Sequence, residues 1–352
     1  MKVMGIDIGT TSVGLSVLDR QTRRQVKAET IPGGSFIRTD RPWEKLQKVD
    51  EIEKKVIDAV QELLSEFKDI EAIGLTGQMH GIVYIDRKGI CVSPLYTWQD
   101  GRGGRKDFEG KSLTEEIYIK TGIHVYSGYG WVTHLYNQRK NLVPETAASF
   151  CTIADYIGMR LTGRESPLIH SSMAASFGFF DLEKGQFRTD LLKDLGVTGD
   201  ILPDTTTKVA PLGKFRGIPV YTASGDNQAS VLGAAGREPG SILINMGTGG
   251  QISVISDRNI KIPGIETRPF LDENYLLAGA SLCGGRAYAV LENFFRQYGK
   301  AAGIGDCPQY DIMDKIQKEA QPEEPLLVRT TFQGTRMHPD MRGSIERISE
   351  QH

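Results

Sequence analysis

Apolar positions dominate the start of the chain. Val3, Ile6 and Ile8 run into Gly9-Thr10-Thr11-Ser12, and Val13, Leu15, Val17 and Leu18 then resume the apolar pattern. Two strands joined by a turn of small and hydroxyl residues, a β-hairpin, follow from that pattern. Val26 to Ile31 continues as a third strand. The period then changes: Val49, Ile52, Val56, Val60, Leu63 and Phe67 recur at helical spacing in a helix opened by Pro42. Ile70 to Thr76 reads as the strand that follows this helix in an α/β unit. Gly81 to Ile90 reads as a further hairpin turning at Asp86-Arg87-Lys88-Gly89, before a more helical middle that includes Ile153 to Leu161.

The pattern returns late in the chain. Ile218 to Ala223 is a short strand ending at Ser224-Gly225-Asp226-Asn227, and Gln228 to Ala235 is helical. Beyond a hinge candidate at Pro239-Gly240, Ser241 to Met246 forms a strand running into Gly247-Thr248-Gly249-Gly250, and Gln251 to Ile255 returns. The strand–glycine turn–strand logic of the N-terminus is thus repeated. With 352 residues to distribute, the repeat predicts two related domains, 1–238 and 239–352, facing one nucleotide across a cleft.

Composition narrows the class. Hydrophobic residues make up 39% of the chain, enough for real cores, and 42 Lys+Arg against 44 Asp+Glu give a net charge of −2. The densest basic stretch, Arg102 to Lys106, is interrupted by glycines, so nucleic acid is not an expected partner. Cys91, Cys151, Cys283 and Cys307 are scattered without a CxxC pair, which fits a reducing cytosol better than a disulfide framework or zinc site. No window is apolar enough to span a membrane, and the expected setting is soluble and cytoplasmic.

The candidate chemistry lies at the strand ends. Gly9 lets a phosphate approach the backbone, Thr10, Thr11 and Ser12 add hydroxyl donors, and Asp7 is placed to hold a magnesium ion opposite that phosphate. Asp226 can take a proton from a substrate hydroxyl attacking a γ-phosphate, or can cap the helix that starts near Gln228; the two roles are compatible. Thr76 to Gly81 and Thr97 to Arg102 gather amide, imidazole, carboxylate and guanidinium groups beside an indole, the set a polyhydroxylated ligand requires. Gly110-Lys111-Ser112 is the lone GK[ST] triplet, but Arg105 stands where a P-loop needs glycine.

Taken together, the motifs resemble the FGGY family of carbohydrate kinases, of the actin-like, ribonuclease-H-like ATPase superfamily. The resemblance rests on GIDIGTTS at 5–12, TGQMHG at 76–81, TWQDGR at 97–102, SGDNQAS at 224–230 and NMGTGG at 245–250, and continues through GASLCGG at 279–285 and GTRMHPDMRG at 334–343. Within the family the chain is most similar to sedoheptulokinases, through 76–84, 97–102, Ser127-Gly128-Tyr129-Gly130 and Ala174 to Phe180; xylulokinases share the Met79-His80 pair.

The resemblance implies a two-domain actin-like α/β fold and an ATP- and Mg²⁺-dependent kinase acting on a ketose. Asp226 becomes the general base, Asp7 the magnesium residue, and Gly9, Thr10, Thr11 and Ser12 the phosphate ligands, joined by Gly247, Thr248, Gly249 and Gly250 from the second domain. Met79, His80 and Asp100 become sugar ligands, with Gln78 and Trp98 as neighbours and domain closure excluding water. The partners implied are a small ketose and ATP, and a homo-oligomer is left open. Relatives continue past the Arg342-Gly343 region into a glycine-rich adenosine-binding loop, whereas this sequence ends at His352. The second domain is therefore expected to be incomplete, which leaves an inactive sugar-binding fragment as an alternative, and the motifs shared with xylulokinases leave a xylulokinase-like pentulose kinase as another.

Overall fold

The computed structural model describes residues 1–247, 249–271, 273–281, 283–319, 325–334 and 340–350. The chain divides into two compact units, Met1–Ala234 with Arg268–Tyr275, and Ala235–Thr267 with Leu276–His352.

The first unit is built on one sheet. Strands β1 (Lys2–Ile8), β2 (Ser12–Asp19) and β3 (Arg24–Pro32) form an antiparallel meander, with Ile8 opposite Val13 at the first turn. Helix α1 (Val49–Glu66) leads to β4 (Ile70–Gly77), which lies parallel to β1 with Asp7 opposite Thr76. Strands β5 (Pro211–Phe215) and β6 (Ile218–Tyr221) extend the sheet to the order β5-β6-β4-β1-β2-β3, and the short β7 (Ser224–Gly225) pairs in parallel beside Thr76 and Gly77.

Strand periodicity separates the two faces of this sheet. Met4, Ile6, Ile8, Val13, Leu15, Val17, Ile73 and Leu75 are buried in one cluster with the stripe Ile52, Val56, Val60 and Leu63 of α1 and with the helix Ile153–Thr162. Burying a side chain of this kind is worth about 1.5–3 kcal/mol, so this face dominates the stability of the unit. Gly5, Asp7, Gly14, Ser16, Thr30, Gly74 and Thr76 belong to the other face and line a cavity of about 590 Å³ together with Ser224. Apolar residues thus fix the scaffold, and the residues between them leave room at Asp7.

Three local expectations need correction. Pro42 does not open the helix: Leu46–Gln47 pairs with Leu95–Tyr96 first, Lys48 is extended, and α1 begins at Val49, with Phe67 just past its end. The Asp86 turn forms, with Asp86 Oδ1 accepting from the Lys88 and Ile90 amides, but Val83–Ile85 takes Ser149–Cys151 as its strand partner. Its link to the other side of the turn is a single bridge, Ile85 to Cys91. The third correction is at 218–223, where the strand stops at Tyr221 and pairing resumes only at Ser224.

In the second unit, strands Ile242–Met246 and Gly250–Ser256 form the second hairpin, with Met246 opposite Gly250. Strands Tyr275–Ser281 and Glu266–Pro269 complete a four-stranded sheet, followed by helices Gly285–Ala301 and Tyr310–Glu319. Thr248, expected to bind phosphate, lies outside the described residues, as do Leu282 and residues 335–339 of the two later motifs. Among the described residues no helix is long and apolar enough to cross a membrane.

Candidate active site

Strands β1, β4 and β7 run in parallel, so their carboxyl ends lie together, and each end carries a sequence-predicted site residue. Asp7 and Gly9 follow from β1, Gln78, Met79 and His80 from β4, and Asp226 from β7. The carboxyl edge of parallel strands is where α/β folds place their ligands. Thr76 Oγ1 donates to Ser224 O at 2.9 Å and ties two of these ends together. A Cβ at Gly225 would stand 2.3 Å from Gln228 Oε1 and 2.7 Å from Met79 Sδ, so the buried Met79 packs against the residue just before Asp226.

Asp226 begins the helix Asp226–Ala235, and its Oδ1 accepts from the Asn227 amide at 2.7 Å. It reaches solvent, yet the desolvation it undergoes raises its pKa and the negative charge of Asp7 pushes the same way; the Asn227 amide and the positive charge of Arg268 pull it down. Arg268 Nη1 also donates to Asn227 Oδ1 at 3.1 Å. Asp7 is exposed, and desolvation raises its pKa as well. Arg268 is absent from the sequence motifs, and the only signal that could have found it is a partner 41 residues away.

The turn expected to bind phosphate is closed by Gly9 N–H donating to Ser12 O at 3.0 Å, and Gly33 N–H holds Thr11 O at 2.7 Å. A single exposed carboxylate at the end of β1 suits Mg²⁺, which is commonly held by one or two carboxylates, water and substrate phosphates. Among the described residues no cluster of three His, Cys, Asp or Glu offers a protein cage instead. In the second unit, Gly247 N–H donates to Gly249 O at 2.9 Å, and Gly285 N–H, at the start of helix Gly285–Ala301, donates to Gly247 O at 2.7 Å. Gly250 follows as the first residue of the returning strand.

His80 is held with φ at +71°, a strained value for histidine. Its amide donates to Ser176 Oγ at 2.9 Å and its Nδ1 lies 2.7 Å from Ser176 O. A carbonyl only accepts, so Nδ1 carries a proton. Tyr129 stacks on the ring at 4.6 Å between centroids. Trp98 is 48% exposed, and its indole N–H donates to Thr10 Oγ1 at 3.0 Å. The backbone of Trp98 passes so close to Gly128 that a Cβ there would meet Trp98 O at 1.9 Å.

Besides Met79, two further expected sugar residues are buried. Asp100 is 0% exposed: Oδ1 accepts from Arg102 Nε at 2.7 Å and the Arg102 amide at 3.1 Å, and Oδ2 from Arg102 Nη2 at 3.2 Å and the Lys45 amide at 3.0 Å. Those four bonds occupy the carboxylate and make Asp100 the anchor of the 97–102 loop. Arg102 continues the network to Asn137, which bonds Tyr84, which in turn lies 2.9 Å from His134 Nδ1. Burial holds His134 down at about 4, so it is neutral at physiological pH. Gln78 is 2% exposed and its amide is bonded to Thr10 and Gln47.

The sheet and its parallel strand ends have the actin-like ATPase fold. Residues 2–233 match the N-terminal domain of the FGGY family of carbohydrate kinases, and the chain belongs to that family. It is a sugar kinase, and sugar kinases of this family use ATP. Sedoheptulokinase of Mus musculus is 27% identical, covering 98% of this chain and 80% of its own, and gluconokinase of Bacillus subtilis is 26% identical, covering 99% and 72%. Xylulose kinase of Rhodospirillum rubrum superposes with a TM-score of 0.82 at 22% identity, covering 100% of this chain and 74% of that one, and shares the fold.

Proposed function

We propose that the chain phosphorylates the terminal hydroxyl of a ketose, with sedoheptulose as the favoured substrate and the 7-phosphate as product. The observation that carries this reading is Asp226, a solvent-reaching carboxylate of raised pKa at the carboxyl edge shared with Asp7. A ketose hydroxyl is a weak nucleophile. Asp226 accepts its proton as the oxygen attacks phosphorus, and its raised pKa makes the carboxylate a better acceptor. When bound, ATP supplies the phosphoryl group and Mg²⁺ neutralises charge on its phosphates. Asp7 would hold the ion. Gly9, Thr11 and Ser12 hold phosphate from residues 1–238, and Gly247 to Gly250 do so from a nucleotide-side domain, 239–352.

On the sugar side, His80 supplies an imidazole held by Ser176 and stacked by Tyr129, and Trp98 an exposed indole face, which suits the C–H face of a sugar. Met79 packs against Gly225, while Gln78 and Asp100 hold the two segments in place. Sedoheptulose is favoured by the 76–84 and 97–102 motifs together with the mouse and human sedoheptulokinases among the relatives. Xylulose is the second reading, favoured by the Met79-His80 pair.

A phosphorylation screen over C5 to C7 ketoses decides between them, with sedoheptulose expected to give the highest kcat/KM. Asp226→Asn is expected to lower kcat by about 10³-fold while ketose affinity stays within a few-fold. Parental turnover in that variant overturns the assignment.

A further inference from the structure

The hydroxyl of Thr10, in the middle of the phosphate turn, is not oriented by chance. Trp98 Nε1–H donates to Thr10 Oγ1 at 3.0 Å, and Thr10 Oγ1 donates to Gln78 Oε1 at 3.3 Å. Gln78 Nε2 donates to Gln47 Oε1 at 3.0 Å, and Gln47 Nε2 returns to Thr10 O at 2.8 Å. Three residues far apart in sequence thus close a ring through Thr10, with the indole attached to it.

Donor and acceptor chemistry gives the ring one direction. An indole N–H only donates, so Thr10 Oγ1 accepts there. Gln47 Nε2 is committed to Thr10 O, so Gln47 Oε1 must accept from Gln78 Nε2, and Gln78 Oε1 is left to accept the single proton of Thr10 Oγ1. The backbone carbonyl of Thr10 only accepts, so Gln47 must present its amide nitrogen to it. Both glutamine side chains are then fixed in orientation, with no alternative flip that keeps every bond. Gln47 is 1% exposed and Gln78 2%, so a broken member leaves a buried amide group without a partner. The hydroxyl is fully engaged, which leaves it no proton for a phosphate oxygen.

We infer that Thr10 and Gln47 are positioning residues for the ketose rather than phosphate ligands: through the ring they lock the exposed Trp98 indole to the turn that follows β1. The sugar platform and the phosphate turn are then one rigid piece, and loss of the Thr10 hydroxyl is felt first by the sugar. This inference rests on the ketose reading given above.

Thr10→Val removes the hydroxyl and keeps the shape. It is expected to weaken binding of sedoheptulose or xylulose, measured by calorimetry without nucleotide, by about tenfold, with the KM for ATP changed less than about twofold. It is also expected to raise acrylamide quenching of Trp98, isolated by comparison with Trp98→Phe. Thr10→Ser restores the hydroxyl and the ketose affinity. Gln47→Leu breaks the ring away from the turn and repeats the effect of Thr10→Val, so the inference stays testable if one variant fails to fold.

A raised KM for ATP with unchanged ketose binding makes Thr10 a phosphate ligand and overturns the inference, as does no change in either. If neither ketose binds the parent, the ketose reading fails separately, and quenching decides for the ring: unchanged Trp98 accessibility in both variants overturns it, and increased accessibility in both upholds it.

Discussion

At the scale of single residues, the proton affinity of Asp226 is a balance. Desolvation and Asp7 raise it, and the Asn227 amide and Arg268 lower it. Removing the positive charge with Arg268→Met takes away an interaction that favours the carboxylate, so the pKa climbs further. Because the proposed base must be ionised, the acid limb of kcat/KM should move to higher pH, by on the order of 1 unit, whereas Arg268→Lys should leave it nearly in place. A pH–rate profile checks this, and a limb that does not move with Arg268→Met removes Arg268 from the balance. Asp7 and Asp226 were legible because each ends an apolar strand in a run of glycine and polar residues. Arg268 and Gln47 were not, since their meaning comes from partners 41 and 37 residues distant.

At the scale of elements, local signals located strands and helices well where one physical cause acted alone. The alternation around Gly9 and the stripe of α1 both produced the elements they imply. Pro42 misled because a two-residue strand pairing at Leu46–Gln47, a non-local contact, takes the chain before the helix begins. The helix Ile153–Thr162 shows a local cap with a cost. Thr152 and Asp155 form a capping box, with Thr152 Oγ1 donating to Asp155 Oδ2 at 2.7 Å. Burial nevertheless pushes the Asp155 carboxyl up to about 7.

An unfolded aspartate titrates near 3.9, so between about 4 and 7 the folded chain binds more protons than the unfolded one, and stability falls as pH rises. The slope is at most about 1.4 kcal/mol per unit. Asp155→Asn keeps an oxygen for the cap and removes the titration. Its stability relative to the parent, from urea unfolding, should therefore be greater at pH 8 than at pH 5. Equal differences at the two pH values would show that the Asp155 carboxyl titrates alike in the folded and unfolded chain.

At the scale of the whole molecule, apolar burial is unevenly shared. Every residue of the main core cluster, from Met4 to Ala223, belongs to the first unit. In the second unit, helix Gly285–Ala301 buries only Glu292 and Gly299, helix Tyr310–Glu319 only Met313, and Phe294 and Tyr298 are 67% and 70% exposed. The repeated glycine turn made the second hairpin legible from sequence, but hydrophobic pattern alone did not reveal how little of its apolar surface is covered. Burial of apolar area is the main source of cooperative stability, and segments with few buried contacts open at low free energy. Hydrogen exchange followed by mass spectrometry should therefore find the slowest amides in β1 and β4, around Ile6, Ile8, Ile73 and Leu75. Helices Gly285–Ala301 and Tyr310–Glu319 should exchange orders of magnitude faster, and urea should release them in an earlier transition than the β1–β4 core. Uniform protection across both units, with one transition, would mean that buried apolar area does not set local stability in this chain. A second unit that opens readily while the first stays folded would preserve the Thr10, Trp98 and Asp226 geometry, so ketose binding should survive the first urea transition and be lost only with the second.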